Sequence, residues 1–173
     1  KETEKLRTGI KTDLNKKVIQ NSVDLTSEIE FSPSMIEMEL ELALSKNPPT
    51  DIGLVLSNSK GEVYKVGFNA AKNQFYSDRT KAGKTAFSEK FAAKVHTAPR
   101  LSDSETLKLH LFFDVGSVEL FADDGATVMS ELFFPNEDFT QISLYVEGGE
   151  AELLSGSIYE LKNIWRKTTT ANP

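Results

Sequence analysis

Two pairs of carboxylates flank turns in the second half of the chain. Asp114 and Glu119 lie on either side of a Val-Gly step, and Asp123 and Asp124 come directly before a glycine. Hydrolysis of a glycosidic bond uses two carboxyl groups, about 5 Å apart when configuration is retained and farther apart when it is inverted. An Asp before a turn typically caps its own backbone, however, and a Glu on an alternating strand typically faces water. We therefore predict that no pair of these carboxylates is catalytic.

Other reactive groups are few. The chain has no Cys and only two histidines, His96 and His110, and it contains no Gly-x-Ser-x-Gly string. The absence of Cys excludes disulfides and thiolate chemistry, and two histidines are too few distinctive ligands for a zinc site. No EF-hand string is present, although loop oxygens could bind calcium. We predict no metal and no cofactor.

A β-hairpin positions the first carboxylate pair. Leu109, Leu111 and Phe113 alternate with residues of the opposite face, which is the period-2 pattern of a strand with one side in the core. Val115-Gly116 then reverses the chain into a second strand over 117–122. The Asp-Gly step at its end is a strong turn signal, because glycine adopts positive φ at little steric cost.

The same alternation recurs along the chain. Ile36, Met38, Leu40 and Leu42 alternate with glutamates, which predicts a strand with one buried face. Further strands are predicted at 52–56, 62–68, 73–77, 107–113, 117–122, 127–134, 141–146 and 151–165, with 78–83 as an exit loop. Residues 86–101 fit either helical turns or a bulged strand. Short strands with almost no helix predict an all-β fold, a two-sheet antiparallel β-sandwich of the jelly-roll, lectin-like type.

Length and composition favour one soluble domain. The chain has 173 residues, 39% hydrophobic and 27% charged, with a net charge of −6. We predict a linker or short helix at 1–12, the sandwich at 13–167 and a disordered tail at 168–173. The negative charge and scattered lysines disfavour nucleic acid and anionic membranes as partners. No apolar run approaches the ~18 residues of a membrane span, and no secretory signal is present.

Several strings resemble the C-terminal β-sandwich of glycoside hydrolase family 32, which comprises levanases, inulinases and invertases. Residues 114–125 (DVGSVELFADDG) resemble its D-x-S-S-V-E-V-F-x-N-D-G signature. Residues 76–83 (YSDRTKAG) resemble its D-R-S-x-S-G motif, Leu6-Arg7 its entry linker, and 161–165 (LKNIW) its closing strand. The departures, such as Val115-Gly116 for a polar pair and Asp123 for Asn, preserve the turn logic.

The resemblance implies a non-catalytic module. In that family the catalytic carboxylates lie on an N-terminal five-bladed propeller, in motifs of the W-M-N-D-P-N-G, R-D-P and E-C type, none of which occurs here. The chain begins with Lys1 rather than Met, so we expect an excised or processed segment. We expect it to support the missing propeller of the same polypeptide, in an enzyme that is extracellular, periplasmic or on the cell surface.

The resemblance also implies an alternative, a carbohydrate-binding module that holds terminal fructose units of levan or inulin. Paired hydrogen bonds from carboxylate and guanidinium groups suit vicinal hydroxyls, and an aromatic ring supplies an apolar wall. The candidate residues are Tyr76, Asp78, Arg79, Asp114, Glu119 and Trp165. Each has a structural alternative: an ion pair or turn cap for Asp78 and Arg79, a turn cap or exposed strand position for Asp114 and Glu119, and a core or interface position for the aromatic residues.

Overall fold

The computed structural model describes residues 3–44 and 48–163. Thirteen strands make up most of this part of the chain. They are β1 Arg7–Leu14, β2 Lys17–Ile19, β3 Ser22–Asp24, β4 Ile36–Leu44, β5 Asp51–Ser57, β6 Val63–Asn69, β7 Gln74–Lys81, β8 His96–Pro99, β9 Thr106–Asp114, β10 Ser117–Ala122, β11 Thr127–Leu132, β12 Gln141–Glu147 and β13 Ala151–Leu161. Short 3₁₀ helices cover Thr3–Leu6, Thr26–Glu28 and Ala70–Lys72.

The strands form two antiparallel sheets packed face to face. Sheet A has the order β1-β13-β4-β9-β10-β11, with β2 also paired to β13, and sheet B has the order β3-β12-β5-β6-β7-β8. The predicted all-β sandwich is confirmed. No helix of the described residues is long and apolar enough to cross a membrane.

The core lies between the sheets and follows the alternation seen in the sequence. The inward positions of the central strands are almost all aliphatic or aromatic, and most of their outward neighbours are polar. Burial of these side chains is the main favourable contribution to folding, at roughly 25 cal/mol per Å² of apolar surface. The largest fully buried side chains include Tyr64, Phe75, Phe113, Phe133 and Phe139.

The predicted hairpin at 109–125 is present. Val115-Gly116 connects β9 to β10, and Phe113 lies opposite Val118. At the far end of β10, φ is positive at Asp123, Asp124 and Gly125. Asp123 is held in this conformation by Arg100, whose Nε donates to its Oδ2 at 2.7 Å. This conformation is accessible to Asp and Gly at lower cost than to branched residues.

Several local predictions differ from the structure. The predicted linker at 1–12 contains the start of β1, because residues 7–14 pair with β13 across a register that includes Lys11 opposite Tyr159. Strands β2 and β3 were not predicted, since three residues are too few to show a period. The predicted exit loop begins inside β7, which continues to Lys81.

The uncertain segment 86–101 resolves into turns followed by β8. The final strand is a single one that ends at Leu161. The tail predicted at 168–173 lies outside the described residues.

Candidate functional site

The structure places the candidate sugar ligands in three regions. Tyr76 and Asp78 are on the outer face of sheet B, where they line one depression. Arg79, the next residue on β7, points to the interior, so it does not pair with Asp78. Asp114 and Glu119 share a smaller depression at the β9–β10 hairpin. Trp165 lies outside the described residues.

Arg79 belongs to a polar cluster between the two sheets. Its Nη1 lies 2.7 Å from Oε1 of Glu131 and donates to the carbonyl of Leu132 at 2.9 Å. The Glu131 side chain, on β11, is only 6% exposed and also contacts Nδ1 of His96 at 2.6 Å. Ser77 bridges Glu131 to the Tyr64 hydroxyl, and burial raises the pKa of that phenol. Arg79 therefore neutralises the buried Glu131 carboxylate, which would be destabilising without a positively charged partner.

The carboxylates of the hairpin have local partners. Oδ1 of Asp114 accepts from the backbone N–H of Val115 at 2.8 Å, as expected for an Asp that caps a turn. Glu119 accepts a hydrogen bond from the Ser130 hydroxyl on β11. Both residues line a depression of about 280 Å³, whose other walls include Leu6, Phe112 and Leu161.

The depression on sheet B, which we call the tyrosine trough, is lined by Asp51, Lys65, Asn69, Lys72, Gln74, Tyr76, Asp78, Val95, Thr97, Tyr145 and Glu147. Its volume is about 460 Å³. Two tyrosines from strands separated by β5 and β6 meet there: the hydroxyls of Tyr76 and Tyr145 both donate to Oδ1 of Asp51, at 2.7 and 2.8 Å. Burial and the Asp51 carboxylate raise the pKa of Tyr145, so this phenol is a protonated donor at neutral pH.

Two glycines make room for this arrangement. Gly53 on β5 and Gly67 on β6 lie opposite one another, between Tyr145 on one side and Tyr76 on the other. A Cβ on Gly67 would lie 2.8 Å from the Tyr76 hydroxyl and 2.7 Å from the Cα of Gly53. The Tyr76 ring therefore lies across the backbone of the central strands, and a side chain at position 53 or 67 would displace it.

An exposed aromatic cluster lies at one end of the sandwich. The rings of Phe87, Phe91 and Phe134, which we call the aromatic patch, have centroids 4.7 to 5.6 Å apart. Phe87 is 62% exposed and Phe134 is 42% exposed. The guanidinium of Arg79 stacks under Phe91, with Cζ 3.8 Å from the ring centroid. The patch adjoins an apolar depression of about 500 Å³ that includes Val115, Gly116 and Pro135.

Comparison with known sequences identifies the family. The pattern described as "Glycosyl hydrolases family 32 C terminal" matches residues 2–160. The chain belongs to this family.

Named relatives share this family 32 C-terminal domain. A levanase from Bacillus sp. (strain L7) is 35% identical over 80% of the chain, which corresponds to 15% of that protein. An extracellular exo-inulinase from Aspergillus awamori is 33% identical over 71% of the chain and 23% of that protein. The chain thus spans less than a quarter of the length of these relatives.

Solved structures agree. The domain superposes on exo-inulinase from Aspergillus awamori with a TM-score of 0.75 and 25% identity, over 94% of this chain and 31% of that one. Fructan 1-exohydrolase IIa from Cichorium intybus has the same fold, with a TM-score of 0.76 at 15% identity, over 94% and 37% of the two chains.

The two family motifs meet beside the aromatic patch. Gly83, the end of the 76–83 motif, has φ +111 and packs against Phe134 and Pro135 so closely that a Cβ would overlap their backbone. The carbonyl of Gly116, in the 114–125 motif, accepts from Phe133 N–H at 2.9 Å. Segment 133–135 thus contacts both motifs, and at Gly83 its backbone leaves no room for a side chain.

The outer face of sheet A contains a second polar cluster in this domain. Ligand atoms of Glu37, Glu39 and His110 lie within 4.8 Å of one another, a spacing compatible with a metal ion. Arg7, however, binds Glu37 through two nitrogens at 2.7 and 2.8 Å, and His110 Nε2 lies 2.8 Å from the same carboxylate. The guanidinium already supplies the positive charge, so the cluster is an ion-pair network among its own side chains.

Burial alone would raise the pKa of Glu37. The hydrogen bonds and charges of Arg7 and His110 outweigh that effect and hold the pKa below its ordinary value of 4.5. The same contact with Glu37 raises the pKa of Arg7. Glu37 is therefore ionised throughout the neutral range.

Sequence reasoning selected Tyr76 and Asp78, which line the trough, but did not select Asp51, Tyr145 or the glycine pair. One signal was available: Gly53 and Gly67 each occupy an outward position in a strand whose inward positions are apolar. That they face each other, and that Tyr145 completes the row, depends on strand order. No local pattern encodes that order.

Proposed function

We propose that this domain is the non-catalytic C-terminal module of a fructan-acting family 32 glycoside hydrolase, and that it docks on the rest of its polypeptide through the aromatic patch. The relatives are named levanase and exo-inulinase, and they are at least four times the length of the matched segment. The occupant we assign to the patch is therefore the remainder of the same polypeptide, the part that contains the catalytic propeller in the family.

Exposure of the patch carries the proposal. Three phenylalanines pack mainly on one another at the end of the sandwich, and Leu132, two residues before Phe134, is also 55% exposed. Contiguous exposed apolar surface on a soluble domain typically marks an interaction site. The patch also adjoins the two segments that most resemble the family.

The engagement of the paired carboxylates supports a non-catalytic role. Asp114 caps a turn, Glu119 binds Ser130, Asp123 binds Arg100, and Asp124 lies 2.8 Å from the Nζ of Lys108. We expect the 173-residue chain to release no fructose from inulin or levan. Measurable release that survives purification would contradict this part of the proposal.

The docking proposal is tested by the double substitution Phe87→Ser and Phe134→Ser, made both in this chain and in the full-length polypeptide that carries it. Phe87 is 62% and Phe134 42% exposed here, so the isolated chain should lose less than about 1 kcal/mol of unfolding free energy. In the full-length enzyme the same change should lower the melting temperature by several degrees, because buried interface contacts are lost.

The matched control is Val128→Ser, an exposed apolar residue on β11, on the outer face of sheet A, away from the patch. It should change neither melting temperature. If the patch substitutions leave the full-length enzyme as stable as the control does, the patch is not the docking surface.

We propose an extracellular location for the parent enzyme. Support comes from the exo-inulinase relatives, whose names include the word extracellular. Detection of the full-length protein in the culture medium of its source would test this.

Carbohydrate binding is the second candidate function. The observation that favours it is that Tyr76 and Asp78, two residues selected from the sequence as sugar ligands, line the same trough. The test is titration of the chain with fructose and soluble fructans, and an absence of saturable binding would contradict it.

A further inference from the structure

We propose that the tyrosine trough on the outer face of sheet B binds a short neutral oligosaccharide, with Tyr145 and Tyr76 as its apolar wall and floor. This inference rests on the carbohydrate-binding candidate and is independent of the docking proposal. It assigns the binding to a site lined by Asp51 of β5 and Tyr145 of β12, with Gly53 and Gly67 beneath the Tyr76 ring.

The shape of the trough comes from the glycine pair. Outward positions of a sheet normally bear side chains that fill the surface, but Gly53 and Gly67 have none and leave room above β5 and β6 for the Tyr76 ring. The Tyr76 ring covers the two glycines and Tyr145 stands on the neighbouring strand. The resulting volume of about 460 Å³ is within the range of small-molecule clefts.

The tyrosines are fixed before any ligand arrives. Both hydroxyls bind Oδ1 of Asp51, and its Oδ2 accepts from Nδ2 of Asn69 at 3.2 Å. Asp51 is thereby used as an internal support. Rings held in place in this way can present an apolar wall at little entropic cost on binding.

Hydrogen-bonding groups at the rim remain available. Oδ1 of Asp78 accepts from Thr80, which leaves its Oδ2 for a ligand. The side chains of Lys65, Gln74 and Thr97 also line the trough, and among the described residues none of the three has a side-chain hydrogen bond or an ion pair. An apolar ring beside several separated donors and acceptors suits a molecule with one apolar face and many hydroxyls, which is the chemistry of a sugar.

The charges exclude a strongly ionic ligand. Asp51, Asp78 and Glu147 contribute three negative charges to the trough, and Lys65 and Lys72 contribute two positive ones. The Nζ of Lys65 lies 5.6 Å from the Tyr145 ring centroid, a cation–π distance. With the two signs nearly balanced, neither an anion nor a cation is favoured, and a neutral ligand is.

The experiment is a titration of the 173-residue chain with fructose, 1-kestose and maltotriose, followed by amide and side-chain NMR shifts. We expect saturable shifts for at least one sugar at millimolar concentration, centred on Gln74, Thr97 and Tyr145. Affinity should change little with added NaCl, because a neutral ligand is not screened.

The decisive variant is Thr97→Trp, at an exposed position on the edge strand β8, where Thr97 lies opposite Tyr76. The indole would fill the trough without entering the core, and affinity should fall at least ~10-fold. The matched control is Val128→Trp, an exposed position on the edge strand β11 of sheet A, which should stay within about twofold of the wild type. Tyr145→Ala should weaken binding to a similar degree by removing the wall.

The outcomes separate the hypotheses. Saturable binding that Thr97→Trp and Tyr145→Ala leave unchanged would overturn the trough as the site while leaving carbohydrate binding in place. An absence of shifts with all three sugars at tens of millimolar would overturn both, and the docking proposal would stand on its own test.

Discussion

The outer faces of the two sheets use similar residues in opposite ways. On sheet A, Arg7 stacks on Tyr159 with Cζ 3.4 Å from the ring centroid and forms a double hydrogen bond with Glu37, whose side chain is fully buried. On sheet B, Tyr76 and Tyr145 are held by Asp51, while Lys65 forms no ion pair with a described acid. Aromatic rings, acids and cations thus occur on both faces.

The two faces differ in which side chains contact the aromatic ring and the carboxylate. On sheet A one guanidinium covers the Tyr159 ring and pairs with the Glu37 carboxylate, so these side chains stabilise the fold. On sheet B two phenols bind the Asp51 carboxylate, and the groups at the rim of the trough keep their hydrogen-bonding capacity. A surface that resembles a binding site in composition becomes one only when its polar groups are not already used internally.

The largest expected loss of stability tests the ion-pair network on the outer face of sheet A. Arg7→Ala would leave the buried Glu37 with only His110 as its partner, so we expect a loss of about 3 kcal/mol in the free energy of unfolding. Urea denaturation at pH 7 measures it. Lys11→Ala, which removes an exposed partner of Asp13, is the control and should leave the free energy of unfolding almost unchanged. A loss below about 1 kcal/mol for Arg7→Ala would show that the network does little for stability.

The second-largest expected loss of stability tests the glycine pair beneath Tyr76 on sheet B. Gly67→Ala would push its Cβ against the backbone of β5 and the Tyr76 hydroxyl, so we expect a cost of about 2 kcal/mol. The control is Gly156→Ala on β13 of sheet A, where a Cβ would meet mainly side-chain atoms of Leu14 and Leu40, the nearest at 3.0 Å. Because these can adjust, the control should cost less than about 1 kcal/mol. Equal losses for the two variants in the same denaturation assay would contradict a specific packing requirement for glycine at position 67.

The smallest effect is a pH dependence of the sheet A network. Glu37 has a folded-state pKa below 4.5, so its contribution to stability is complete above that value and is lost as pH falls through the folded-state pKa. Glu37→Gln removes this titration. The stability difference between wild type and Glu37→Gln, measured by denaturation from pH 7 to 3, should therefore shrink below about pH 4.5. A difference that stays constant to pH 3 would contradict the assignment.

Much of the fold was predictable because the signals are local. The alternation in Ile36–Leu44 and Thr106–Asp114 survives in the burial pattern, since one face of each strand meets the core. The strands Lys17–Ile19 and Ser22–Asp24 were missed because they are formed by pairing with β13 and β12 and have too few residues to show a period.

The candidate site was only partly predictable. Asp78 and Arg79 are adjacent in the sequence but point to opposite sides of β7, as any neighbours on a strand must. Strand alternation predicts that the two side chains lie on opposite faces. It does not predict which face is the core, or that Glu131 on that face pairs with the Arg79 guanidinium. Tyr145 carries no local mark at all, because its role depends on β12 lying beside β5.

Neighbouring residues along the chain encode the strand periodicity, the turns at 115–116 and 123–125, and the motifs of the family 32 C-terminal domain. Three features appear only once the strands are assembled: which acids have partners, where the two family motifs meet, and the position of Gly53 and Gly67 side by side beneath Tyr76. These outcomes depend on strand order and register, which bring together residues that are far apart along the chain.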